Sequence, residues 1–328
     1  MPEVRIDPLT GQKTIVAADR ATRPGGGLSA VAPDPIDPES DPFLEGHEDR
    51  TPPETFAVRP DGGAPDGPGW RVRVVPNLYP ALAPDSPAPE ATVNADLFAA
   101  SPARGAHEVV INAPAPVHSL SQLEVGQVAE AVDVWRARMR THAEAGAAYV
   151  HVIVNERREA GASLPHTHAQ IYALDFVPAA IARERERFGA YAQRTMGANL
   201  LQDLVQEEVR LASRIIAIDD EAVVMAPYGA RLPFQLMLAP RVPRARFEDA
   251  GPSGAALLHE SLCRLGRLLG HVPPLNLWVR TAPRGTERYC WRIDVVPRLT
   301  HMAGLELGAG VHLNIVSPER AAAELRDV

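Results

Sequence analysis

Asn155-Glu-Arg-Arg-Glu-Ala-Gly-Ala-Ser-Leu-Pro-His-Thr-His-Ala-Gln170 is the stretch on which the reading of this chain turns. It closes on His166-x-His168-x-Gln170 and runs into the strand-like Ile171-Tyr172-Ala173-Leu174. Side chains alternate across an extended strand, so residues at i, i+2 and i+4 share a face. His166, His168 and Gln170 are therefore expected on one side, with Thr167, Ala169 and Ile171 on the other, less polar one. Two imidazoles and an amide on one strand, entered through a Gly/Ser loop, suit a phosphorylated ligand. The motif alone leaves two chemistries open: attack on phosphorus, or metal ligation.

Outward from this motif the pattern is regular. Ala148-Tyr-Val-His-Val-Ile-Val-Asn155, Glu108-Val-Val-Ile-Asn112 and Trp70-Arg-Val-Arg-Val-Val-Pro76 read as strands. Val125, Val128, Val132, Trp135 and Met139 recur at spacings of three and four, which predicts a helix with one buried stripe. Ser121 and Glu124 fit a capping box at its start, while Glu130, Asp133, Arg136 and Arg140 are expected in water. A charged helical stretch runs from about Ala179 to Arg214. Residues 24–69 and 84–104, rich in Pro and in Gly, Ala, Ser or Asp, are expected as surface segments.

The order then repeats. Glu221-Ala-Val-Val-Met-Ala-Pro227 and Phe234-Gln-Leu-Met-Leu-Ala-Pro240 precede a helix with Leu258, Leu262, Leu265 and Leu269 on one face. Strands over Leu275–Arg280 and Cys290–Pro297 follow, and Cys290-x-Arg292 stands where His166-x-His168 stood. The expected fold class is α+β, with antiparallel sheets and packed helices in two pseudo-repeated halves, 1–177 and 178–328.

Composition narrows the function. At 328 residues, with 45% hydrophobic and 23% charged residues, the chain can bury a large core. Its 33 basic and 41 acidic residues leave a net charge of −8, which offers no basic field for nucleic acid. Lys13 is the only lysine, so arginine must grip any phosphate. Two cysteines, Cys263 and Cys290, argue against a disulfide framework. With no apolar leader and no long apolar run, a cytoplasmic protein without membrane partners is expected.

The chain resembles the galactose-1-phosphate uridylyltransferases, the transferase branch of the histidine-triad superfamily. The likeness spans Arg5-Ile-Asp-Pro-Leu-Thr-Gly-Gln-Lys13, the Arg20 and Arg23 pair, and Asp41-Pro-Phe-Leu-Glu-Gly-His-Glu-Asp-Arg-Thr-Pro-Pro-Glu54. It continues through Val75-Pro-Asn-Leu-Tyr-Pro-Ala-Leu82 and Gly161-x-Ser163-x-x-His166-x-His168-x-Gln170. Pro297-Arg-Leu-Thr300 and Gly304–Gly310 also resemble the ADP-glucose phosphorylase branch.

The resemblance implies a duplicated histidine-triad-like fold, a homodimer, a nucleotide-sugar substrate and a phosphorylated acceptor. His168 would be the nucleophile, Gln170 a donor to the phosphoryl oxygens, and His166 an orienting group. Arg20, Arg23, Asn77, Asn155, Gly161 and Ser163 would contact substrate. Zinc is usual in the family, but its ligands are partly replaced here: cysteine positions carry Asp41 and Leu44, beside His118 and His166. The second metal site survives only as Glu184 and Cys290, with Arg292 in a ligand position. An arginine cannot ligate a metal, but its cation can pair with Glu184. No cofactor is therefore assigned.

The implied reaction is nucleotidylyl transfer through nucleotidyl-His168, with galactose 1-phosphate uridylylation as the leading activity. A nucleoside diphosphate sugar phosphorylase and a non-catalytic nucleotide-binding protein are the alternatives. His47, His107 and His151 receive no functional role.

Overall fold

Thirteen short β-branched-rich segments form strands in the computed structural model, which describes residues 1–328 apart from 23–27, 29–30, 91–93 and 95–96. In chain order they are β1 (Glu3–Ile6), β2 (Lys13–Val16), β3 (Phe56–Val58), β4 (Val72–Pro76), β5 (Gly105–Ile111), β6 (Tyr149–Glu156) and β7 (His168–Leu174). Then follow β8 (Ile215–Ile218), β9 (Ala222–Met225), β10 (Leu236–Pro240), β11 (Leu275–Arg280), β12 (Arg292–Pro297) and β13 (His312–Asn314). The helices are α1 (Val125–Glu144), α2 (Ala179–Arg194), α3 (Leu200–Leu211), α4 (Ala255–Leu269), α5 (Gly304–Ala309) and α6 (Pro318–Arg326).

Among the described residues, ten strands join in one antiparallel sheet ordered β3-β4-β5-β7-β6-β11-β12-β10-β9-β8. Outward from β6 the order is β7, β5, β4, β3; outward from β11 it is β12, β10, β9, β8. The same arrangement therefore occurs twice, meeting at β6 and β11, where Asn155 lies opposite Asn276. A small sheet of β1, β2 and β13 joins the two ends of the chain.

Alternation divides the large sheet into two faces. Val110, Val152, Val154, Ala169 and Ile171 share a core with Val128, Val132, Trp135 and Met139 of α1 and Leu258, Leu262 and Leu265 of α4. Those four α1 side chains have no exposed surface, and each is worth roughly 1.5–3 kcal/mol of apolar burial as an upper bound. The opposite face carries Val75, Val109 and Ile111 under Phe43 and Trp70. Further along it, α2 and α3 cover Val223, Met225 and Met237.

Four expectations change. The serine cap belongs to the 3-10 turn Leu120–Gln122, where Ser119 Oγ accepts the Ser121 amide; α1 starts after Glu124 without a side-chain cap. Leu123, extended between them, separates turn from helix. Arg136 does not face water: its guanidinium donates to the carbonyls of Phe247, Asp249 and Gly251. The stretch from Ala179 to Arg214 is two helices, broken where Met196 and Gly197 take φ of 58° and 112°, and restarted by the Asn199 cap. Within 24–69, Asp41, Phe43 and Glu48 are buried rather than on the surface.

Candidate active site

The site is built on the face of β7 opposite α1. Cross-strand pairs set Ile111 beside His168, Val109 beside Gln170 and His107 beside Tyr172. The start of β7 is fixed from the core: Trp135 Nε1 donates to Asn112 Oδ1, and Asn112 Nδ2 donates to Thr167 Oγ1. A packed helix thus holds the residue between the two histidines.

His168 is 5% exposed and lies edge-on to Phe43. Its Nδ1 is 2.8 Å from the carbonyl oxygen of His166. A carbonyl only accepts, so Nδ1 carries the hydrogen and Nε2 keeps its lone pair. Burial holds the ring below the ordinary imidazole range; the neighbouring His166 acts in the same direction, against the His166 carbonyl and Asp41. A neutral ring with a free Nε2 is the nucleophilic form of histidine.

His166 is fully buried and spoken for at both nitrogens. Nδ1 lies 2.7 Å from Asp41 Oδ2, and Nε2 lies 2.8 Å from the Ala113 carbonyl. Both partners are acceptors when Asp41 is ionised, so a doubly protonated ring satisfies them. Burial pushes the Asp41 carboxyl up, but the His166 hydrogen bond and charge and the Phe43 amide outweigh it, and the carboxyl sits below its usual range.

These residues do not fit zinc. The two would-be ligands bond directly to each other, Leu44 has no donor atom, and His118 Nε2 turns to the Asp34 carbonyl. Among the described residues no three His, Cys, Asp or Glu side chains converge on a common point. Of the expected residual grouping, Asp41 and His166 are brought together and His118 does not join them.

A cavity of about 510 Å³ opens over His168 and Gln170. Pro42, Phe43, Pro52, Val75, Leu78 and Leu164 give it apolar walls, while Arg50, Thr51, Asn77 and Ser163 add polar groups. Asn77 and Ser163 were expected there. Arg50 and Thr51 were not singled out, although they lie within the quoted 41–54 segment. Gly161 adopts φ of 91°, which a side chain would resist, and shapes the loop without lining the cavity. Asn155 is drawn away: its Oδ1 accepts from Asn276 Nδ2 at 2.8 Å. Arg20 is exposed on a 3-10 turn outside the cavity walls, and Arg23 lies outside the described residues.

His107 is the functional neighbour that sequence reasoning missed. It stacks on Tyr172 with ring centroids 4.1 Å apart, and its Nε2 is 3.0 Å from Gln170 Oε1. Nothing within His107's own segment signals this, because the contact spans 63 residues.

In the second half, Arg292 opens β12 as His168 opens β7. Its guanidinium makes two hydrogen bonds to Glu184, at 3.0 and 3.1 Å, and pairs with Asp294. Cys290 Sγ faces the Trp291 carbonyl instead. A bidentate ion pair occupies this position, and its donors also do not fit a metal.

Residues 1–178 match the model of the galactose-1-phosphate uridyl transferase N-terminal domain, and 130–327 match a domain of unknown function, DUF4921. ADP-glucose phosphorylase of Arabidopsis thaliana is 30% identical over 100% of this chain and 93% of its own. Galactose-1-phosphate uridylyltransferase of Haemophilus influenzae is 29% identical over 99% of this chain and 94% of its own. The crystal structure of the Arabidopsis thaliana phosphorylase with bound ADP-glucose superposes with a TM-score of 0.82 at 26% identity, covering 100% of this chain and 99% of that one. A uridylyltransferase structure gives 0.76 at 26% identity, covering 100% and 98%.

Proposed function

This chain belongs to the galactose-1-phosphate uridyl transferase family, and we propose that it transfers a nucleoside monophosphate through a covalent nucleotidyl-His168 intermediate. The donor is a nucleoside diphosphate sugar and the acceptor a sugar 1-phosphate, as in UDP-glucose–hexose-1-phosphate uridylyltransferases. The single observation that carries this reading is a buried His168 whose Nδ1–H is held by the His166 carbonyl, with Nε2 left unprotonated at a cavity wall.

In the first step Nε2 attacks the α-phosphorus, and the phosphorus–oxygen bond to the sugar phosphate breaks with its electron pair on the leaving oxygen. The ring becomes cationic, a charge that its Nδ1–H bond to the His166 carbonyl stabilises. In the second step an acceptor phosphate oxygen attacks, and the phosphorus–nitrogen pair returns to Nε2. Gln170 donates to a non-bridging oxygen, Ser163 binds phosphate, and the apolar walls with Asn77 receive the base and ribose. Residues 1–177 carry this chemistry, and 178–328 support them. The proposed assembly is a homodimer; analytical sedimentation would test it, and a monomer would contradict it.

A second reading differs only in acceptor: inorganic phosphate, as in a phosphorylase. Full-length similarity to ADP-glucose phosphorylase favours it. Protein incubated with UDP-glucose or ADP-glucose labelled at the α-phosphorus should retain acid-labile label, and His168→Gly should fold but retain none. Chasing the adduct with galactose 1-phosphate or inorganic phosphate then separates the two acceptors. No adduct from either donor sinks both readings.

A further inference from the structure

We propose that His107 and Tyr172 are positioning residues that lock the Gln170 amide with its N–H₂ end toward the transferred phosphoryl group. This rests on the nucleotidyl-transfer reading above and adds to it the group that orients the phosphoryl donor.

The chain of donors starts at a main-chain amide, whose role is unambiguous. Ala81 N–H donates to His107 Nδ1 at 3.2 Å, so Nδ1 bears the lone pair and the neutral ring holds its hydrogen on Nε2. Burial of His107 favours that neutral ring. The atom 3.0 Å from Nε2 must then be an acceptor, which makes it the carbonyl oxygen of Gln170. Tyr172 O–H donates to the same oxygen at 2.8 Å. Two donors occupy both of its lone pairs.

The reversed amide would set N–H₂ against Nε2–H, two donors face to face. Asn77 cannot relieve this arrangement. Its Nδ2 lies 3.2 Å from His107 Nε2, but its Oδ1 is held by the Tyr79 amide at 2.8 Å, so it cannot turn to accept. In this tautomer the Asn77–His107 contact carries no hydrogen bond.

Gln170 is thereby left with one free end. Among the described residues none accepts from its Nε2, and its side chain lines the cavity beside His168. A fixed donor facing a phosphoryl oxygen costs no reorientation at the moment of reaction, whereas a carbonyl oxygen there would repel it. The aromatic stack of His107 on Tyr172 keeps both anchors in register on adjacent strands.

The test is the single-turnover rate of nucleotidyl-His168 formation in His107→Leu, Gln170→Leu and the double variant. His107→Leu should slow adduct formation about 2- to 12-fold, the worth of one such hydrogen bond, with substrate affinity changed less than about twofold. His107→Gln, which can again present an N–H near the Nε2 position, should recover most of the rate. The double variant should be no slower than Gln170→Leu, because His107 acts only through Gln170.

A wild-type rate in His107→Leu, additive losses in the double variant, or no recovery in His107→Gln would each overturn the positioning role while the transfer reading stands. No adduct in the wild type overturns the transfer reading instead. Nitrogen NMR of His107 in the unliganded protein decides the first link whatever the activity: an Nε2–H tautomer supports the lock, and an Nδ1–H tautomer refutes it.

Discussion

Replacing Asp41 isolates what the buried pair with His166 contributes. In Asp41→Leu the Phe43 amide, now 3.0 Å from Asp41 Oδ1, loses its acceptor, and one nitrogen of His166 loses its partner. Each orphaned buried polar group costs about 1–3 kcal/mol. The sum, roughly 2–6 kcal/mol, brackets the ~3–5 kcal/mol typical for breaking a buried ion pair from one side. Asp41→Asn behaves differently. Its Oδ1 can keep the Phe43 amide, and its Nδ2 can donate to Nδ1 of a neutral His166, whose Nε2–H still serves the Ala113 carbonyl. Every group stays satisfied and two buried charges disappear, so the change should stay within about 1 kcal/mol. Urea unfolding at pH 7, extrapolated linearly, measures both. At that pH the carboxyl is ionised folded and unfolded, because its depressed value affects stability only as pH falls below about 3.8. Equal losses in the two variants, or none in Asp41→Leu, would refute the pairing as the organising contact.

Other consequences follow from the same geometry. Protein purified and dialysed against chelator should hold far less than one zinc per chain; stoichiometric zinc by elemental analysis would contradict the direct Asp41–His166 bond. Arg292→Met removes the bidentate partner of Glu184, leaving it Tyr289 O–H, and leaves Asp294 with Trp278 Nε1–H; it should cost about 3–5 kcal/mol in urea unfolding, whereas adding Glu184→Gln should recover part of that loss. Glu156 is wholly buried, and burial raises its carboxyl to about 7, against the Ser119 and Leu120 hydrogen bonds. An acid raised on folding gives its full stability below its unfolded value near 4.5 and loses it as pH climbs through 7. Glu156→Gln should therefore gain up to ~3 kcal/mol on the wild type at pH 8 and little at pH 5. The acid limb of adduct formation should fall below pH 6.5, the ordinary imidazole value, since burial lowers His168; a limb at or above 6.5 would contradict a neutral, buried nucleophile.

Periodicity made the scaffold legible. The α1 stripe fell on buried positions from Val128 to Met139, Ala169 and Ile171 turned into the core, and the second run of strands and helix repeated the first. Exposed Val125 marks where the stripe outran the helix's packed length. Long-range polar partners were legible only where the resemblance placed them, as at Arg292 and Glu184. Arg136 has the spacing of a solvated residue, yet the 247–251 loop folds over it and supplies three carbonyls. The resemblance grouped Asp41 with His166 as zinc-site positions, but nothing in the Pro/Gly-rich segment itself indicates that Asp41 is buried directly against that histidine, 125 positions away. His107 looked like a lone histidine for the same reason: its partners come from β7 and the 77–81 turn.

Two ion pairs occupy comparable places in the repeated topology. Each ties a segment outside the sheet to the entry of an equivalent strand: the 41–51 loop to β7 through His166, and α2 to β12 through Arg292. The anchors differ in what they leave free. A guanidinium stays charged throughout the accessible pH range, and at Arg292 it is paired with Glu184 and Asp294. An imidazole at the same kind of joint can be satisfied on both nitrogens and still leave its backbone carbonyl to accept from a neighbour. That carbonyl is the one that holds His168 Nδ1–H. Pairing His166 with Asp41 therefore keeps the loop closed and leaves the next histidine's Nε2 available, which a second Arg–Glu clamp could do only if its main chain were held as tightly.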